Sequence, residues 1–326
     1  MGKSSLGTLE KDAARDISYA HAATSRSGRT LIRALENATG RIQLIRRADG
    51  YQNEVDAGAD FWKVMVKRYG LSLEMQGGNL NDIPKTGPLV LVANHPFGIL
   101  DGLMMGHILS QVRGGEFRIL AHRVFRKADD INRIILPISF DETREATTLN
   151  LQTRREAMEF LKNGGAIGVF PGGTVSTSET LLSRPLDPAW RTFTSKMIAK
   201  SGATVVPVYF KGQNSRLFQM ASHMHPNLRV ALLINEFRRR TDAPVQVTLG
   251  APIERQALKA LSGDAKAMMD FLRARTYALS EDGHGVDAYG FEFEEKHKRD
   301  RGDGGRHFGQ RAWRSDRVQS GDRASP

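Results

Sequence analysis

The stretch Asn94-His95-Pro96-Phe97-Gly98-Ile99-Leu100-Asp101-Gly102 decides how the whole chain is read. Just upstream, Pro88-Leu89-Val90-Leu91-Val92-Ala93 is an unbroken apolar run of strand length, the pattern of a buried strand. Just downstream, Leu103-Met104-Met105-Gly106-His107-Ile108-Leu109 has the apolar spacing of a helix, with Asp101 expected as its N-cap. A histidine therefore closes a strand and a carboxylate opens the next helix. Open α/β sheets carry their chemistry in the crevice beyond the carboxyl ends of their strands. An imidazole held by a carboxylate is the ordinary general base near neutral pH. The same residues also fit a plain structural turn, in which Asp101 only caps and His95 only bonds backbone.

Outward from that turn the pattern alternates. Strands are expected at 89–93, 117–121, 134–140, 166–170, 204–210 and 245–249. Helices are expected at about 101–112, 153–163, 190–200, 217–237 (broken near Pro226) and 264–279. The alternation defines an α/β class with a mixed, partly parallel central sheet flanked by helices. Residues 1–80 read as an N-terminal helical segment, 81–280 as the main α/β domain, and 281–326 as a basic tail, disordered from about 295 by its Gly, Asp, Arg and Ser content. Within the N-terminal segment, Phe61, Trp62, Met65, Val66 and Tyr69 share one helix side, with Lys63, Lys67 and Arg68 alongside. That composition fits a helix lying in a membrane interface, and equally a helix packed on the domain body.

Composition narrows the function classes. The chain has 326 residues, 40% hydrophobic and 25% charged, which is globular and large enough for a substantial core. With no cysteine, disulfides and thiolate metal sites are excluded. A formal net charge of +11 implies an anionic partner: a lipid surface, a nucleic acid or an acidic carrier protein. The basic residues are dispersed among acids and the aromatics, at 7%, are not interleaved with them, so nucleic acid is the poorest of these fits. No apolar run approaches the roughly 18–20 residues of a spanning helix, and the N-terminus lacks a signal-peptide core.

Three further segments carry chemistry. Phe170-Pro171-Gly172-Gly173-Thr174-Val175-Ser176 follows a strand, and its glycines and hydroxyls suit an oxyanion or a headgroup. His122, Arg123, Arg126, Lys127 and Arg133 form a basic cluster suited to a phosphate or carboxylate, or simply a solvated face. Val205-Val206-Pro207-Val208 is an apolar strand able to wall a substrate slot.

Taken in order, these elements resemble the glycerolipid, or lysophosphatidic acid, acyltransferase family. The resemblance spans roughly residues 80–255 and is strongest to its hemolysin-like branch, on Asn94-His95-Pro96-Phe97-Gly98-Ile99-Leu100-Asp101-Gly102, on Gly212-Gln213-Asn214-Ser215-Arg216-Leu217-Phe218 and on His225-Pro226. It implies an O-acyltransferase in which His95 takes the proton of an acceptor hydroxyl and Asp101 supports the imidazole. The donor is then an acyl thioester of CoA or acyl carrier protein, with no metal or other cofactor. Two departures matter. Five residues separate His95 from Asp101 where the family usually has four, a longer loop shared by the hemolysin-like branch. In the second segment, Gly172 stands where the family usually has Glu and Val175 where it usually has Arg. Without that guanidinium, the expected acceptor is a lyso-aminolipid rather than lysophosphatidic acid, which remains the alternative. Substrate contacts are expected from Arg123, Arg126, Arg133, Phe170, Pro171, Gly172, Gly173, Thr174, Ser176 and Pro207. The expected location is peripheral, on the cytoplasmic face of the inner membrane, against an anionic lipid surface.

Overall fold

A computed structural model describes residues 18–20, 23, 25–122, 133–139 and 143–292, the side chain of His122 excepted. Seven strands form one sheet: β1 (Ser72–Gly77), β2 (Leu89–Ala93), β3 (Phe117–His122), β4 (Ile135–Ile138), β5 (Ala166–Val169), β6 (Thr204–Phe210) and β7 (Pro244–Leu249). Their spatial order is β1-β7-β6-β2-β5-β3-β4. Every pairing is parallel except β6 with β7, which makes the sheet mixed as expected.

Strand β2 lies at the middle of the sheet, and all five of its residues are buried. Alternation divides them between two cores. Leu89, Leu91 and Ala93 join one cluster, while Val90 and Val92 join the other. Helix α1 (Arg26–Thr39) joins a small third cluster, Ile32 with Ala20, Ala23 and Ala231, while the first cluster is covered by α2 (Arg41–Ala48), α3 (Tyr51–Asp56), α4 (Phe61–Arg68), α5 (Ile99–Arg113), α8 (Arg216–Met224) and α9 (Pro226–Arg239). The second is covered by α6 (Arg144–Lys162), α7 (Phe193–Ser201), α10 (Arg255–Ala260) and α11 (Ala265–Tyr277). Two faces buried under helices explain why β2 is apolar throughout rather than alternating.

Residues 25–77, within the span read as an N-terminal helical segment, include β1, and α2, α3 and α4 share the first core with the sheet. Trp62, Met65, Val66 and Tyr69 are buried there, so this aromatic face of α4 packs inward. Gly106 on α5 permits that packing, because a Cβ there would stand 2.1 Å from the Trp62 ring. The break near Pro226 is real: His225 ends α8 and its ring accepts the Asn227 N–H at 3.0 Å, with Pro226 as the first residue of α9. Residues 283–292 lie within the span read as a tail, yet Arg273 donates to the carbonyls of Gly285 at 2.8 Å and Ala288 at 2.7 Å. No helix among the described residues is long and apolar enough to cross a membrane.

Candidate active site

The dyad arises from the junction of β2 with α5. His95 follows the strand end, and Gly98 turns the chain with φ 89°, a conformation open to glycine. Any Cβ at Gly98 would also press on Leu233 and Val175 at 3.3 Å. Asp101 is not the N-cap expected from sequence. Gly98 takes that place, and Asp101 reaches back from the first turn so that its Oδ2 accepts the N–H groups of Phe97 at 2.8 Å and Gly98 at 2.9 Å. That geometry turns the carboxylate toward the loop that carries the histidine.

His95 Nδ1 stands 2.9 Å from Asp101 Oδ2; the histidine side chain is 18% exposed and the aspartate 0%. The approach lies off the line of the ring N–H, and Asp101 Oδ1 has no donor among the described residues. Burial pushes the Asp101 carboxyl above its ordinary range, while His95 and the Phe97 and Gly98 amides pull it back toward the charged form. The Phe170 ring stacks on the imidazole at 4.3 Å between centroids and 25° between planes. One side of the base is thus covered by an aromatic face. Arg240 lies 4.1 Å over the Phe97 ring and donates to the Gln213 carbonyl at 2.7 Å. Burial lowers its pKa, which the charges of Glu236 and Asp101 oppose.

Around the dyad, several groups fix the loops rather than face solvent. Asp187, fully buried, accepts from the His95 N–H at 3.1 Å, the Ser176 hydroxyl at 2.5 Å and the Trp190 indole at 2.9 Å. The Ser176 N–H donates to the His95 carbonyl at 2.8 Å. Arg229, buried on α9, donates to Thr177 Oγ1 at 2.6 Å, Ser222 Oγ at 2.8 Å, Thr174 Oγ1 at 3.1 Å and the Val175 carbonyl at 2.7 Å. Asn94 ties the loop to the end of β6: its amide donates to the Phe210 carbonyl at 2.9 Å and accepts the Phe210 N–H at 2.7 Å. Asn214, buried two residues beyond the Gly212 that abuts Phe97, has neither amide atom paired among the described residues.

The sequence-predicted residues divide accordingly. His95, Asp101 and Phe170 are in contact. Pro171, Gly172, Gly173, Thr174 and Ser176 form the adjoining turn, but the Thr174 and Ser176 hydroxyls are buried and engaged by Arg229 and Asp187. A Cβ at Gly172 would meet the Asp187 carboxyl at 3.3 Å, so a larger residue there would crowd the carboxylate. Val175 is buried in the first core. Pro207 sits inside β6 opposite Val92, within the sheet rather than beside the dyad. Arg133 precedes β4, which runs parallel to β3 and, through β5, to β2. It therefore stands at the amino end of its strand, whereas His95 follows the carboxyl end of β2. Arg123 and Arg126 lie outside the described residues.

A partly exposed imidazole beside a buried carboxylate, at the carboxyl edge of a parallel β-strand, is an arrangement able to take up a proton. The chain belongs to the acyltransferase family, whose model, described as "Acyltransferase", matches residues 52–286. Two curated relatives are both named lyso-glycine lipid O-acyltransferase. That of Bacteroides thetaiotaomicron is 25% identical over 210 residues, covering 60% of this chain and 71% of the relative. That of Phocaeicola vulgatus is 25% identical over 207 residues, covering 60% and 69%. A solved structure, the 1-acyl-sn-glycerophosphate (LPA) acyltransferase PlsC from Thermotoga maritima, aligns at 20% identity with a TM-score of 0.39, covering 76% of this chain and 96% of that one.

Proposed function

We propose that the protein transfers a fatty acyl group from an acyl thioester to the hydroxyl of a lysolipid, with His95 as the general base. The observation that carries this is the 2.9 Å approach of His95 Nδ1 to the buried Asp101 carboxylate. Asp101 keeps the proton on Nδ1, which leaves Nε2 as the free base. Nε2 takes the acceptor's hydroxyl proton while the oxygen attacks the thioester carbonyl. The tetrahedral intermediate then collapses, the C–S bond breaks, and the imidazolium returns the proton to the departing thiolate. A slight turn of the ring brings the Nδ1–H onto the carboxylate, the tightening expected when substrate arrives. Donors of this chemistry are acyl-CoA or acyl carrier protein thioesters, and no metal or redox group takes part.

The acceptor is a lyso-aminolipid of the lyso-glycine kind. Two curated relatives carry that name, and the turn at 172–176 offers Val175, not a guanidinium, to a phosphate. Gly172 abuts Asp187, Val175 is buried, and the Thr174 and Ser176 hydroxyls already have partners. The test is purified protein given one acyl donor and both acceptors in competition. The expected result is O-acylation of the lyso-aminolipid over lysophosphatidic acid; the reverse preference overturns the acceptor assignment, and transfer to neither overturns the activity.

A further inference from the structure

Large apolar side chains are normally scattered singly on a surface, so a cluster is informative. Five of the nine that stand exposed among the described residues belong to two adjoining segments: Leu181, Leu182, Leu217, Met220 and Met224. Leu182 is 87% exposed and Met224 70%. The first two form the tip of a turn where polar residues are the rule. This turn is firmly built: Thr177 and Leu186 pair as an antiparallel bridge below it. At its top, Thr180 N–H donates to Ser183 Oγ at 2.9 Å and Ser183 N–H to Thr180 Oγ1 at 3.2 Å. Arg216 at the start of α8 donates to the carbonyls of Leu181 at 3.2 Å and Ser183 at 3.1 Å. The turn is thereby held against α8, whose residues 217, 220 and 224 share its outer face.

The inner face of α8 grips the strip beside the dyad. Gln219 accepts the Ser178 N–H at 3.0 Å, and Ser222 joins Thr177 through Arg229. Ser176, on that same strip, bonds the His95 carbonyl. The apolar cluster and the base are therefore two ends of one rigid piece.

We propose that the Leu181–Leu182 turn and the outer face of α8 dip into the interfacial layer of a lipid bilayer and hold the dyad over the membrane that contains its acceptor. This rests on the lysolipid reading above, since such an acceptor resides in a bilayer. A rigid apolar tip, with Arg216 exposed at its margin and Arg184 beside it paired to Asp282, on a chain of net charge +11, suits an anionic lipid surface. An acidic carrier protein would call for a basic patch rather than an apolar one.

The full chain and its Leu182→Ser/Met224→Ser variant are floated with vesicles of phosphatidylethanolamine and phosphatidylglycerol. Both are also assayed on acceptor held in vesicles and on a short-chain, water-soluble acceptor. The expected result is roughly a tenfold loss of vesicle binding, a matching loss of turnover on the vesicle-held acceptor, and unchanged turnover on the soluble one. Vesicle binding equal to wild type overturns the proposal. So does an equal loss on both acceptors, or a wild-type dimer that the variant makes monomeric while its vesicle binding is retained. If wild-type binds vesicles in this Leu182-dependent way but acylates neither acceptor, the docking surface stands and the lysolipid reading falls.

Discussion

The Asp101 carboxylate is held by two backbone amides on the oxygen that also meets His95, and it is wholly buried. Its folded-state pKa is raised above the ordinary 3.8. Between those values the native chain retains a proton that the unfolded chain has released, so this group's contribution to stability falls as pH rises through the window. Asp101→Asn keeps an oxygen for the Phe97 and Gly98 amides and removes that slope. Its urea midpoint at neutral pH is therefore expected to equal or exceed that of wild type. Its kcat, by contrast, is expected to drop roughly 10³–10⁴-fold, because the imidazole loses the partner that fixes its tautomer. Equal losses of stability and activity would assign Asp101 a structural role alone. His95 and Asp101 were legible in sequence because they lie one strand end and one helix turn apart. Asp187 and Arg229 were not: each reaches the site from a distant segment, and an isolated Asp or Arg between apolar neighbours carries no signal of what it will meet.

Among the elements, α9 is tied to the turn at 172–177 by one buried guanidinium. Arg229→Met deletes its hydrogen bonds to Thr174, Thr177, Ser222 and the Val175 carbonyl and leaves those groups without that donor. A loss of about 2–4 kcal/mol is expected in chemical unfolding, and a change under about 0.5 kcal/mol would show the clamp to be idle. Gly106→Leu is the matching test on α5. It drives a side chain into Trp62, and overpacking of this kind costs about 1–3 kcal/mol. The apolar stripe of α4 was visible in the sequence, but nothing there says what covers it; the answer rests on a glycine on another helix. Strand β1, Ser-Leu-Glu-Met-Gln-Gly, escaped notice because an edge strand has half its residues in solvent and little apolar run to show. The central strands were plain for the opposite reason, since burial on both faces demands continuous apolar runs.

Across the whole molecule, the segment 283–292 closes the structure around the site. Gly290 N–H donates to the Asp187 carbonyl at 2.9 Å and Phe291 N–H to that of Thr177 at 3.1 Å. Arg273, buried on α11, holds Gly285 and Ala288 from the other side. A chain ended at 282 loses all of these bonds, whereas a chain ended at 292 keeps them. The shorter chain is expected to lose thermal stability and acyl transfer relative to the longer one, by thermal melt and product assay. Matching behaviour of the two would mean that the segment merely lies on the surface. The composition of residues beyond 281 reads as tail because Gly285, Ala288, Gly290 and Phe291 make these contacts through backbone atoms, which a hydropathy pattern does not register.

The central claim is that one imidazole takes the acceptor's proton. It is tested most directly by kcat/KM for O-acylation of the lyso-aminolipid by His95→Ala, with product measured by mass spectrometry and folding checked by the urea midpoint. A folded variant slowed roughly 10²–10⁴-fold is the predicted result. A folded variant acylating within a few-fold of the wild-type rate would contradict it.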